Sequence, residues 1–288
     1  MIDEARILEI RHLAARMRRD IILMVGVGQP GHVGGSCSSA DIVAALYGHK
    51  MKHDPKNPKW AGRDRFLMSK GHAAIIQYAA LAELGYFPIS HLPTLKKYGS
   101  MLQGHPDIHK TPGIEANTGS LGQGLSISCG MALALRLDKQ PNRVYCVLGD
   151  GELAEGQVWE AAMFASCKKL DNLVAIVDQN KLQAMGAVAD RMNSNPLPEK
   201  WQAFGWQVLE INGHNVEEIV EALDQAETIK GRPTVIIAHT VKGRGFSFAE
   251  GNVAFHNGAM TQAQYELGLK EADAVLAEFE PAQMAEAR

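Results

Sequence analysis

Apolar and polar residues change rhythm midway along the chain. In the second half, short unbroken apolar runs alternate with longer amphipathic stretches. VYCVLGD (144–150), LVAIVDQN (173–180), QVLEING (207–213) and PTVIIAHTVKG (233–243) read as strands. Between them, GQVWEAAMFASCKK (156–169), PLPEKWQAFGW (196–206) and NVEEIVEALDQAETI (215–229) read as helices. Apolar strands separated by helices predict an α/β fold, a parallel sheet with helices on both faces. Such crossovers share one hand, so the strand ends at Asp150, Asn180, His214 and Lys242 should face the same way. Ligands bind at that edge of an open sheet.

The first half is less regular. Ile7, Ile10, Leu13, Ala14, Met17 and Ile21 recur at helical spacing and predict a helix over 4–24. A Gly-rich stretch follows, and SCSSADIVAALYG (36–48) should open a helix with Ser38 or Ser39 as its cap. Residues 53–112 read as turn chemistry mixed with short helices, including a buried helix over 73–84. Residues 121–137 read as a helix with one small-residue face, and the chain turns helical and Ala/Glu-rich from about Thr261. One domain over 1–288 with a helical C-terminal tail is expected, without internal repeats.

Composition narrows the function classes. The net charge is −3 with no clustered basic run, which argues against nucleic-acid binding. No apolar run approaches the roughly 20 residues that span a bilayer, and the N-terminus lacks the pattern of a secretory signal. A soluble, cytoplasmic protein is expected. Cys37, Cys129, Cys146 and Cys167 lie far apart, without a CxxC pair, and read as buried, reduced thiols.

Chemistry collects in loops. Gly149-Asp150-Gly151 ends a strand; its glycines let backbone approach a phosphate, and Asp150 offers a hard oxygen. Asn180 ends the next strand about 30 residues on and offers an amide oxygen. Together they suit Mg²⁺ and a diphosphate. Of the two nearby glutamates, Glu152 reads as a helix-start charge. His32, His72, His105 and His256 each lie beside Gly, Pro or Asn in loops, suited to proton transfer with sugar hydroxyls. They lack the spacing of a helix-borne zinc site. His12, His49, His53, His91 and His109 read as surface residues. NTGSLGQG (117–124) opens a helix whose amides could hold an anion, whereas no Rossmann, Walker or GxSxG motif is present.

Five segments in this order, PGHVGGS (30–36), SKGHA (69–73), QGHP (103–106), TGSLGQG (118–124) and GDGELAEG…DQNK (149–181), resemble the N-terminal, thiamine diphosphate-binding region of transketolases. The likeness runs almost end to end, and the length resembles the N-terminal subunit of a split transketolase. It implies Asp150, Asn180 and the Leu182 carbonyl as Mg²⁺ ligands. It implies Gly151 and His72 against the diphosphate, and Gly119 and Leu121 along the aminopyrimidine. His105 corresponds to a contact to the donor's C1 hydroxyl. His32 and His256 fall near its C3 hydroxyl, where a proton leaves, and Glu155 at a link between cofactor sites across a dimer. The cofactor would serve as electron sink for a two-carbon fragment passed from ketose to aldose.

Three departures stand out: Ser120 where the family often has Pro, Ala184-Met185-Gly186 where it often has an aliphatic–Asp–Gly triplet, and the lack of a pyrimidine-binding domain with its activating glutamate. A separate C-terminal subunit, in an α2β2 heterotetramer, is therefore expected. The alternatives are a 2-oxo acid dehydrogenase E1 α-type subunit, disfavoured by SKGHA and QGHP, and a non-catalytic cofactor-binding subunit.

Overall fold

The computed structural model describes residues 2–279. Its central sheet has five parallel strands: β2 (Arg65–Met68), β3 (Val144–Gly149), β4 (Leu173–Gln179), β7 (Gln207–Asn212) and β8 (Thr234–His239), in the order β2-β3-β4-β8-β7. Two small antiparallel ribbons sit at the edge, β1 (Pro30–Gly31) with β9 (Gly258–Ala259) and β5 (Leu182–Gln183) with β6 (Gly186–Ala187).

Helices cover both faces, as the apolar strands predict. Successive residues of a strand point to opposite sides. Val144, Cys146 and Leu148 of β3 pack with α5 (Gln123–Leu137), α6 (Gly156–Cys167) and α8 (Leu197–Ala203). Tyr145 and Val147 face α1 (Glu4–Val25), α3 (Ala40–Ala45), α4 (Ala74–Glu83) and α9 (Val216–Thr228). The chain moves one way along the sheet through β2, β3 and β4, then reaches the far edge at β7 and returns to β8. That reversal puts α9 on the face opposite α6, as a constant crossover hand requires. α10 (Gln262–Ala277) starts from a Thr261–Gln264 capping box and packs on α1. α2 (Val33–Ser38) and the single turn α7 (Val188–Arg191) complete the α-helices among the described residues. The expected tail beyond Phe279 lies outside them.

Several expectations need correction. β2 falls inside the region read as turns and short helices. Only four residues long and flanked by RDR and SKG, it shows no periodicity, and pairing with β3 defines it. The first helix after the Gly-rich stretch begins at Val33, and Ser39 stands at the N-cap of the next, α3, without a capping bond from its side chain. The Ser38 and Ser39 hydroxyls donate instead to buried Asp178. Cys167, on the outer face of α6, is exposed while the other three thiols are buried. Of the histidines read as surface residues only His109 is exposed; His53 hydrogen-bonds the Tyr47 carbonyl at 2.9 Å.

Candidate active site

The loops that leave β2, β3, β4 and β8 meet at one edge of the sheet and enclose a cavity of about 150 Å³. Whole small-molecule sites usually occupy about 300–1,000 Å³. The cavity falls below that range.

One end is built of oxygens. Asp150 is buried; its Oδ1 accepts from the Gly151 amide at 2.8 Å and its Oδ2 from the Lys181 amide at 2.6 Å. These bonds tie the ends of β3 and β4 together. Burial, then the charge of Asp178, pushes the Asp150 carboxyl up to about 6. The Lys181 and Gly151 amides, and then the Lys242 charge, offset part of that penalty. Asn180 Nδ2 donates to Asp178 at 3.0 Å, which fixes the amide's orientation and leaves Oδ1 as the acceptor. The Leu182 carbonyl accepts from the Lys242 ammonium at 2.8 Å, so it already faces a cation. A Cβ on Gly151 would lie 3.0 Å from Gln183 Oε1 and 3.2 Å from its Cβ, so any larger residue there would press on the Gln183 side chain. One carboxylate, one amide and one carbonyl form a hard oxygen set suited to Mg²⁺. Among the described residues no three His, Cys, Asp or Glu side chains are arranged to hold a metal ion.

The other end is a histidine cluster. The β1–β9 ribbon pairs Gly31 with Gly258 and so brings the loop of His32 to that of His256. Ring centroids of His32 lie 5.0 Å from His72, 5.4 Å from His256 and 6.5 Å from His105. His72 and His256 are 5.1 Å apart. All four sequence-predicted histidines are therefore together. Burial is the main cause that lowers each: His72 to about 2, His32 to about 3, His256 to about 4, and His105 in the same direction. Neighbouring lysines and histidines add to it. The rings are neutral at physiological pH and can accept protons. Lys242 Nζ contacts His256 Nδ1 at 3.0 Å, which leaves the proton of a neutral ring on Nε2. Gly119, at φ 139°, turns the backbone against the His105 ring where a Cβ would lie 2.7 Å from Cδ2. Leu121 lines the cavity with Asp150, Asn180, His72 and His256.

Glu155 is exposed at the start of α6, and Ser120 is exposed beside Gly119. Ala184 lines the cavity and Met185 is exposed in the β5–β6 turn, so the departure from an aliphatic–Asp–Gly triplet falls at the cavity mouth. His214 lies apart: its Nδ1 bonds Asp41 at 2.8 Å and its Nε2 accepts the Val241 amide at 2.8 Å.

Sequence reasoning put Lys242 at the ligand-binding edge without giving it a role, and it missed Lys70. Both are buried beside the oxygen set and suit an anionic tail. Burial, then the charge of Lys70, lowers Lys242 to about 8. Glu152 does sit in the first turn of a short 3-10 helix, Gly151–Ala154, but its bonds go beyond that turn. α6 begins four residues later, and the Glu152 carboxylate is buried among the Ser69 hydroxyl and the Gly122 and Gly149 amides. The only signal for Lys70 was its place inside SKGHA; for Asp178, a charge at the end of an apolar strand.

A family model for the transketolase thiamine diphosphate-binding domain matches residues 5–273. The chain is 47% identical over 264 residues to a 6-deoxy-6-sulfo-D-fructose transketolase subunit of Clostridium sp. (strain MSTE9), covering 92% of this chain and 96% of the relative. It is 42% identical to an apulose-4-phosphate transketolase subunit of Phocaeicola vulgatus, with 88% and 90% covered. The Campylobacter jejuni transketolase crystal structure superposes with TM-score 0.84 at 31% identity, covering 99% of this chain but 48% of that one. The fold and site thus define a thiamine diphosphate-binding domain. The chain belongs to the transketolase family and corresponds to the N-terminal subunit of a split enzyme. These likenesses favour transketolase over the dehydrogenase and non-catalytic alternatives.

Proposed function

We propose that this chain binds the diphosphate end of thiamine diphosphate with Mg²⁺ and, with a separate C-terminal subunit, transfers a two-carbon ketol unit from an anionic ketose to an aldose. The observation that carries the proposal is the cavity that joins the Asp150–Asn180–Leu182 oxygens to His72 and His256, against which the His32 ring packs at 5.0 and 5.4 Å.

Asp150, Asn180 and the Leu182 carbonyl would hold the metal, while Gly151, Lys70, His72 and Lys242 would meet the diphosphate. Gly119 and Leu121 would lie along the aminopyrimidine. When bound, the cofactor supplies an electron sink for the two-carbon fragment. The chain's own residues position the sugars and handle protons. His105 would orient the donor's C1 hydroxyl. His32 and His256, neutral because they are buried, would accept the proton leaving the C3 hydroxyl and return it to the acceptor. Glu155, exposed next to the Gly122 turn, would reach the second cofactor site of an α2β2 assembly.

The need for a partner is supported by the cavity's small volume and by relatives named as subunits. Those relatives are named for a sulfonated and a phosphorylated sugar, which supports an anionic donor. The test is a ketol-transfer assay of the co-purified pair over phosphorylated and sulfonated ketoses, with light scattering for the assembly. Transfer from at least one anionic donor is expected. Inactivity of a well-folded pair across the panel would overturn the proposal.

A further inference from the structure

Glu152 lines the cavity yet has no part in the proposed chemistry. Its Oε1 accepts from the Gly122 amide at 2.9 Å and from the Ser69 hydroxyl, and its Oε2 accepts from the Gly149 amide at 3.0 Å. The three donors belong to three separate segments: the turn before α5, the SKGHA loop after β2, and the Gly-Asp-Gly turn after β3. Each segment carries a different candidate contact: Gly119 and Leu121, then His72, then Asp150 and Gly151.

The anion held at the N-terminus of α5 is therefore the protein's own carboxylate. Gly122 is the N-cap of that helix, and the Glu152 carboxylate is the acceptor for its amide, which would be left without that partner if Glu152 were absent. The segments also touch closely. A Cβ on Gly124 would lie 2.4 Å from the Ser69 side chain. Charge-assisted bonds to fixed backbone amides are short and directional, and a neutral amide side chain cannot accept with both of its ends.

We infer that Glu152 is a positioning residue: it clamps the three cofactor-facing segments in register before any cofactor arrives. The inference rests on the proposed thiamine diphosphate site, but the clamp itself exists in the cofactor-free protein. A ligand entering a preassembled site does not have to order three loops, so the clamp acts on affinity.

The test is Glu152→Gln in the co-purified subunit pair, with Ser69→Ala as a milder second variant. Thiamine diphosphate binding is read by calorimetry at saturating Mg²⁺, and amide hydrogen exchange is read on the cofactor-free protein. Loss of an outer hydrogen-bonding partner around a metal site typically costs about 10–100-fold in metal affinity or activity, and Glu152→Gln is expected to weaken thiamine diphosphate binding by a similar factor. Ser69→Ala should weaken it by less. Exchange should rise together at 69–73, 119–124 and 149–152 while the sheet interior keeps its protection. An affinity within twofold of wild type in Glu152→Gln, or exchange rising evenly over the whole chain, would overturn the inference. Should Glu152→Gln not fold, unchanged affinity and exchange in Ser69→Ala would do the same. If wild type itself fails to bind thiamine diphosphate, the functional proposal falls, and the exchange pattern still decides the clamp.

Discussion

Lys70 and Asp178 form a fully buried ion pair beneath the cavity. Asp178 also accepts from Ser38 at 2.6 Å, Asn180 at 3.0 Å and the Thr240 hydroxyl, and Lys70 donates to the Gly35 carbonyl at 2.8 Å. Burial alone would raise the Asp178 carboxyl, but the Lys70 ammonium and these donors outweigh it and hold it below the ordinary range. One carboxylate thus gathers the loops of His32, His72, Asn180 and Lys242. Removing one partner of a buried pair costs about 3–5 kcal/mol, because the other charge is left uncompensated. Lys70→Met should lose stability on that scale in chemical denaturation. A loss below about 1 kcal/mol would contradict the role given to this pair.

The metal-ligand assignment makes a sharper demand. Asp150→Asn keeps size and loses charge, and should abolish Mg²⁺-dependent binding of thiamine diphosphate at millimolar concentrations. Paramagnetic broadening by Mn²⁺ gives a second readout and should vanish from residues around Asn180. Retained metal-dependent binding would move the metal elsewhere.

Proton handling predicts a kinetic signature. His32→Ala in the assembled enzyme should lower kcat/KM by about 10²–10⁴-fold, the usual worth of a general base, while thiamine diphosphate affinity changes little. Ring C–H resonances offer a pH test in wild type. Burial, then neighbouring positive charge, holds His32 near about 3 and His256 near about 4. Neither should titrate between pH 5.5 and 8. A midpoint near 6.5 would mean that the rings are solvated.

Stability should depend on pH through Asp20. Burial first, then the adjacent Glu83 charge, raises this carboxyl to about 8, and its Oδ2 has no hydrogen-bond partner. An unfolded aspartate loses its proton near pH 4. The folded chain keeps it, so the contribution of Asp20 is fully present below about pH 4 and is lost as pH rises toward about 8. Asp20→Asn should therefore stabilise the protein at pH 8–9 relative to wild type. Equal melting temperatures at pH 9 would contradict this placement of the charge.

Thiol reactivity is expected to be selective. Cys37, Cys129 and Cys146 are buried, and burial pushes the first two up to about 12 and the third higher still. Cys167 alone is exposed. Mass spectrometry after brief native alkylation should find one modified cysteine, Cys167.

The parts of this fold legible in the sequence were those with local signals. Val144–Leu148 and Leu173–Val177 are unbroken apolar runs, so their strands and parallel pairing could be read directly. The four histidines could be read because glycine, proline or asparagine beside each marks a loop. β2 could not, because four residues carry no period and only its register against β3 defines it. The bonding of Glu152 could not be read for a related reason. Its neighbours in sequence suggest a helix start, whereas its partners, Ser69 and Gly122, lie 83 and 30 residues away. Lys70 and Asp178, 108 residues apart, look like ordinary loop and strand-end charges until folding buries both.

The central claim is that this chain is the diphosphate-binding half of a two-subunit transketolase. Its most direct test is ketol transfer in the presence of thiamine diphosphate and Mg²⁺, measured for this chain alone, for a C-terminal transketolase subunit from the same genome alone, and for the two together. Turnover by the mixture only is the predicted result. Turnover by this chain alone would contradict it.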